Sequence, residues 1–397
     1  MRVTPFTLLC TTGLFAIFSS TISKSPVLPL FTSYLGADLA KVGVVAAVSA
    51  FTGIVASIPA GILSDRLGRR RMLIFSAVVF ASAPFLYLLV TNVYQLAAIR
   101  FYHGLATAIF VPVAMALVSD LFQKERGEKI GWFSTSTLVG RFMAPVIGGA
   151  IIGAMVFSPG FSYKIVYIVC GITGVMVLLL AFRIQDSAQH KNNNHSWAET
   201  ADIFKTVISN RALLLTSGVE ASILFSYGTF ETFLPLYSIN AGISAYEIGI
   251  FLSSQIITLA LTKPVMGRFS DKHGREPQIF AGAIIGAICI GTLPIFKSFL
   301  PLLALSILFG LSLSIVTSAT SALIADLSRQ ENRGSAMGVL GSIMDIGHTT
   351  GPLVAGIVAA YFGFAQSFVT ASMVVVASAI FFRISVKRGV PQINTTA

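Results

Sequence analysis

Along almost the whole chain, apolar stretches the length of a membrane crossing alternate with short polar connectors. A helix needs about 20 residues at ~1.5 Å rise to cross a ~30 Å hydrocarbon core, with every backbone group bonded inside the segment. By that measure twelve spanning helices are predicted, over residues 5–35, 43–63, 72–90, 94–121, 129–152, 164–183, 211–238, 246–266, 277–296, 299–325, 335–361 and 364–384. The first is too long for a cleavable signal and is expected to stay in place. One long polar stretch interrupts the pattern, from Gln185 to Asn210, and its Asn-rich start has too little apolar surface to pack. It is expected to be a flexible cytoplasmic linker, in which Ala198–Ile208 could lie on the membrane surface as a short amphipathic helix anchored by Trp197. The predicted domains are thus a bundle over 1–184, the linker over 185–210, and a second bundle over 211–397 with a short cytoplasmic tail.

The pattern also repeats. GILSDRLGRR at Gly61–Arg70 returns 206 positions later as GRFSDKHGRE at Gly267–Glu276. Leu28-Pro29-Leu30 returns as Leu234-Pro235-Leu236 at the same displacement, Gly104–Asp120 as Gly310–Asp326, and Pro145 as Pro352 after the gain of one residue. Four landmarks in register identify a tandem duplication of six spans each. The fold expected is therefore all-α, twelve transmembrane helices arranged as two pseudo-symmetric six-helix bundles.

Composition agrees, since 55% of the 397 residues are hydrophobic and only 11% are charged, against ~25% in ordinary soluble domains. Of the 27 Lys and Arg residues, 20 fall on the connectors that share a side with the amino terminus and three, Lys41, Lys164 and Lys297, on the opposite side. That asymmetry predicts both termini in the cytoplasm of a cell-membrane protein and accounts for the net charge of +11 without a nucleic-acid partner. Cys10, Cys170 and Cys289 are scattered within spans and read as small core residues. The sequons at Asn194 and Asn394 fall on the cytoplasmic side, where that modification does not occur. No phosphate-binding glycine loop and no metal-ligand spacing is present, so neither an enzyme nor a cofactor or metal is expected.

The connector between spans 2 and 3, Gly61-Ile62-Leu63-Ser64-Asp65-Arg66-Leu67-Gly68-Arg69-Arg70-Arg71, resembles the signature of the major facilitator superfamily of secondary transporters, and the resemblance extends over the whole chain. Physically, Gly61 would let helices approach, Asp65 would accept from backbone N–H groups at a neighbouring helix start, and Gly68 would make the tight turn. The resemblance implies a cytoplasmic gate of Gly61, Asp65, Arg66, Gly68 and Arg69, mirrored by Asp271 and Arg275, that latches when the cavity opens outward. Positive charge that merely fixes topology is the alternative. Arg100-Phe101-Tyr102-His103-Gly104 in span 4 is similar to the superfamily's helix-4 motif. Arg100 lies ~9 Å below the outer surface, where it costs ~2.5–3.5 kcal/mol, so it should point inward and be paired. The resemblance implies a proton-coupling or helix-packing role for it. Gly140-Arg141-Phe142-Met143-Ala144-Pro145-Val146-Ile147-Gly148-Gly149 in span 5 resembles the superfamily's antiporter motif, with Ala144 where glycine is usual, and Gly351-Pro352 matches it in span 11. Tight packing and a proline bend at Gly140, Pro145, Gly149, Gly351 and Pro352 follow physically; the resemblance adds efflux.

Seven ionisable residues lie within spans: Lys24, Arg100, Arg141, Lys263, Glu220, Glu231 and Asp345. Such residues are functional candidates, because each costs energy unless paired or hydrated. Many proton-driven exporters of the resembled group carry an acid on span 1, where this chain has Lys24, so Glu220, Glu231 or Asp345 is left to carry a proton. Glu231 corresponds to Ser25 in the repeat, and Lys24 and Glu231 both lie ~28–30 Å from the cytoplasmic ends of their helices. The resemblance implies that spans 1 and 7 face each other across a cavity, so the two are expected to form an ion pair across its outer half that parts on outward opening. The 31 phenylalanines permit an aromatic cavity for amphipathic molecules. A monomeric proton-coupled exporter of small hydrophobic or amphipathic compounds, embedded in lipid, is the expected function. An uptake or lipid- or metabolite-translocating carrier, or a membrane sensor on the same scaffold, is the alternative.

Overall fold

Apolar side chains all round a helix suit a segment with lipid on one side and protein on the other, and that is what the chain builds. A computed structural model describes residues 4–185, 210–327 and 333–387, and among these are twelve helical segments long and apolar enough to cross a membrane. The linker residues 186–209, with the expected surface helix and Trp197, and the tail from Arg388 onward lie outside the described residues. The helices run Arg69–Leu86, Val93–Leu121, Arg126–Ala154, Pro159–Ala181, Arg211–Asn240, Ala245–His273, Arg275–Thr292, Phe299–Leu327, Arg333–Phe362 and Phe364–Lys387 in spans 3 to 12.

Two spans depart from expectation. Span 1 is not continuous: a helix at Pro5–Ile22 ends at Ser23, and a second at Val27–Tyr34 starts after Pro26. Proline lacks the N–H that would continue the ladder and clashes with the preceding turn, so the chain stops and restarts there. Span 2 runs on to Leu67, so most of the expected connector is helix and only Gly68, at φ 94°, turns the chain before the helix from Arg69 begins. Gly274, at φ 92°, makes the same turn in the second repeat. Both φ values lie where only glycine sits without strain. On the opposite side, Asp38 caps span 2 by accepting from the Lys41 N–H at 2.8 Å. The Lys41 ammonium, with that N–H, holds the Asp38 carboxyl below the ordinary carboxylate range.

By their contacts the described residues form two compact units. The first holds spans 1 to 6 together with Glu231–Ser253, and the second holds the rest of spans 7 and 8 with spans 9 to 12. In the first unit, small residues set close crossings: a Cβ on Gly140 would collide with the Leu14 carbonyl, and one on Gly174 with the Phe80 carbonyl. Spans 5 and 8 touch backbone to backbone, with Gly149 on the Ala245 carbonyl and Gly249 on the Pro145 carbonyl. The second unit repeats the device, with Gly347 on the Ala221 carbonyl and Gly351 on that of Phe225. Gly61 is different, because a Cβ there would meet no atom within 4 Å, so it does not mediate the close approach expected of it. Around these crossings the apolar core of the first unit gathers Leu73, Phe80, Phe110, Val113 and Leu117, all fully buried.

Candidate functional site

The break in span 1 points neighbouring residues at different partners. Lys24 stands outside regular helix, its N–H donating to the Thr21 carbonyl at 3.0 Å, and its Nζ reaches Glu231 Oε2 at 2.8 Å. The expected pair is present. Its side chains are 24% and 10% exposed, so water screens it less than a surface pair. Ser23, one residue earlier, accepts from Arg100 Nη1 at 3.2 Å.

Arg100 points inward as expected and is 3% exposed, but its partners correct the expectation of a charge pair. Nη1 also donates to the Tyr87 hydroxyl at 3.3 Å and Nη2 to Ser49 Oγ at 2.5 Å, and no carboxylate lies within 4.0 Å among the described residues. Tyr87 is central to this cluster. Its ring stacks on Tyr167 at a centroid distance of 4.2 Å, and its hydroxyl meets His103 Nδ1 at 3.4 Å.

In the second unit Glu220 is 1% exposed. Thr320 donates to its Oε2 at 2.5 Å, while Oε1 has no hydrogen-bond partner among the described residues. The hydroxyls of Thr317 and Ser314, three and six residues before Thr320 on the same helix, are likewise buried without partners. Asp345 is half-buried, and a turn further on His348 lies against the Tyr227 ring at 5.3 Å. Arg141 and Lys263 are exposed rather than buried, which corrects the expectation for both. The reason at Arg141 is angular. Gly140 is the residue pressed on the Leu14 backbone, so the next position, about 100° further round, turns away from that contact.

The signature segment forms a clamp within its own unit. Arg69 Nη1 pairs with Asp65 at 2.6 Å and donates to Ser64 Oγ at 2.5 Å, while Nε reaches Asp120 at 3.2 Å. Asp65 therefore faces Arg69, not the N–H groups of a helix start. Arg70 donates to the Phe182 carbonyl at 3.0 Å, and Arg66 is exposed. The second unit duplicates the clamp: Arg275 pairs with Asp271, donates to Ser270 at 2.6 Å and reaches Asp326 at 3.2 Å. Asp120 and Asp326 were not singled out in the sequence, yet both end the repeated segments Gly104–Asp120 and Gly310–Asp326, each 51 residues beyond its arginine. Ser23, Ser49, Tyr87, Tyr167 and Thr320 carried no comparable signal.

Among curated proteins, the chain is 27% identical over 379 residues to multidrug resistance protein MdtG of Erwinia billingiae, covering 92% of this chain and 90% of that one. Multidrug resistance protein 2 of Bacillus subtilis is 23% identical over 335 residues, covering 84% and 83%. An uncharacterised MFS-type transporter of Methanocaldococcus jannaschii is 24% identical over 353 residues, covering 87% and 88%. Among solved structures, a bacterial homologue of the human lysosomal transporter Spinster, inward-facing and unoccupied, superposes with a TM-score of 0.80 at 16% identity over 96% of both chains. The nucleoside transporter NupG superposes with a TM-score of 0.77 at 15% identity, over 98% of this chain and 100% of that one. The fold is that of these transporters, and the sequence profile of the Major Facilitator Superfamily matches residues 9–254 and 221–396, so the chain belongs to that superfamily.

Proposed function

We propose that this multi-pass transporter of small molecules exports hydrophobic or amphipathic organic compounds from the cytoplasm in exchange for protons, by alternating access in the cell membrane. Two relatives named as multidrug resistance proteins favour export. The observation that carries proton coupling is Glu220, a buried carboxyl with one oxygen held by Thr320 and the other without a partner. A carboxyl so placed can gain or lose a proton while the Thr320 contact stays, and the change of charge alters both the cost of its burial and its attraction to Lys263. The repeat offers an internal control: Glu220, Thr320, Thr317 and Ser314 correspond to Leu14, Ala114, Val111 and Ala108, so the fold itself does not need polar groups there.

Glu231 has a different part in this reading. Its pairing with Lys24 holds one arrangement of spans 1 and 7, and protonation or outward opening releases it. Uptake of candidate compounds into inside-out vesicles under an imposed pH gradient tests the proposal. Accumulation that collapses with the gradient, together with proton release on substrate addition, is the expected result. Glu220→Gln should abolish gradient-driven accumulation while leaving downhill exchange within a few-fold. Undiminished proton coupling in that variant would remove Glu220 from the mechanism.

A further inference from the structure

In the first unit, Arg100 is a buried cation with no carboxylate within 4.0 Å among the described residues. Arginine does not lose its proton in proteins, and hydroxyl dipoles solvate charge without cancelling it. Lys24 and Glu231 pair with one another at 2.8 Å, and no carboxylate lies within 4.0 Å of the Arg100 guanidinium among the described residues. Around it are orphan groups. Arg100 Nε, Tyr167 Oη and His103 Nε2 are all buried and have no hydrogen-bond partner among the described residues. All three side chains border Tyr87, through the Arg100 bond at 3.3 Å, the His103 contact at 3.4 Å and the Tyr167 stack at 4.2 Å. Arg100 Nε–H and the Tyr167 hydroxyl are donors, and His103 becomes a third in the tautomer that carries its proton on Nε2.

A buried polar group without a partner calls for an explanation, a bound water or ion among them, and beside an un-neutralised positive charge the ion that donors would hold is an anion. The second repeat again serves as a control. Arg100, His103 and Tyr87 correspond to Ser306, Phe309 and Leu293, so neither the charge nor the imidazole is a requirement of the fold. We infer that Arg100, Tyr167 and His103 form a binding site for a small monoanion, a halide or the carboxylate of a small organic acid, inside the first bundle. Occupied, the site neutralises the Arg100 charge. This inference rests on burial and charge and does not depend on export or on its direction.

The test uses the purified full-length protein in detergent, with no ion gradient. Thermal unfolding is followed while gluconate is replaced by chloride, bromide or acetate at constant ionic strength. A saturable rise in the unfolding temperature with chloride or bromide is expected, and acetate acting at lower concentration than either would assign the site to carboxylates. Arg100→Gln should abolish the saturable response. Should that variant fail to fold, Tyr167→Phe removes one donor and keeps the stacked ring, and it should raise the half-saturating concentration roughly tenfold, the worth of one charge-assisted hydrogen bond. No saturable response to any of the three anions would overturn the inference. So would a response unchanged in Arg100→Gln, or in Tyr167→Phe where Arg100→Gln does not fold.

Discussion

Adjacent residues of one chain break do separate work here: Ser23 accepts from Arg100, and Lys24 pairs with Glu231. The pair is open to a direct test. Lys24→Glu and Glu231→Lys should each lower transport at least tenfold, because each leaves two like charges together in a poorly hydrated place. The double exchange should recover activity to within several-fold of the original, a coupling of about 1–3 kcal/mol. No recovery would show that the contact is incidental to transport. Lys24 and Glu231 were legible in the sequence because the repeat register gave their common depth and the resemblance to the superfamily gave their facing position. Arg141 and Lys263 misled, because residue type alone says nothing of helix face. The hydroxyl partners of Arg100 were hidden for another reason, since serine and tyrosine are common in apolar spans and leave no period to read.

Helix crossings are the next level of organisation, and glycines set them. Gly140→Val and Gly347→Val each push a side chain into a facing backbone carbonyl, and each should cost about 1–3 kcal/mol. A clear drop in unfolding temperature is expected for both. Gly61→Val, where a Cβ would meet nothing within 4 Å, should leave the unfolding temperature almost unchanged and provides the contrast. In the signature clamp, Asp65→Asn removes one of the two carboxylates on Arg69 and leaves Asp120 in place. We expect slower turnover with substrate affinity kept within a few-fold, as rapid-mixing transport and equilibrium binding would reveal. A large loss of binding instead would place Asp65 in the substrate path. Twelve spans could be read from hydropathy because burial in lipid demands them. The break at Pro26 and the helical run through Asp65 could not, since one proline is compatible with a kink, a stop or a restart, and polar helix ends look like loops.

The duplicated chain has kept its scaffold and diverged in its polar interior. Conserved register appears in the paired clamps of Arg69 and Arg275 and in the paired crossings of Gly140 and Gly347. Divergence appears in a buried cation on one side of the repeat and a buried acid on the other. Single-cysteine variants near each terminus should react with a membrane-impermeant maleimide only in inside-out vesicles, if the Lys and Arg asymmetry orients the protein as expected. Labelling from the opposite side would invert the assignment. There remains the meeting of spans 5 and 8, where Gly149 rests on the Ala245 carbonyl and Gly249 on that of Pro145. Most helix pairs mesh like gears, their side-chain ridges seated in facing grooves, and cannot roll without climbing out of them. Here the backbones themselves form the seam, and Ser253 ties it by donating to the Phe142 carbonyl at 2.6 Å. A turn of either helix would bring a neighbouring side chain into a gap that only glycine fits, so this crossing can hinge or part but cannot roll.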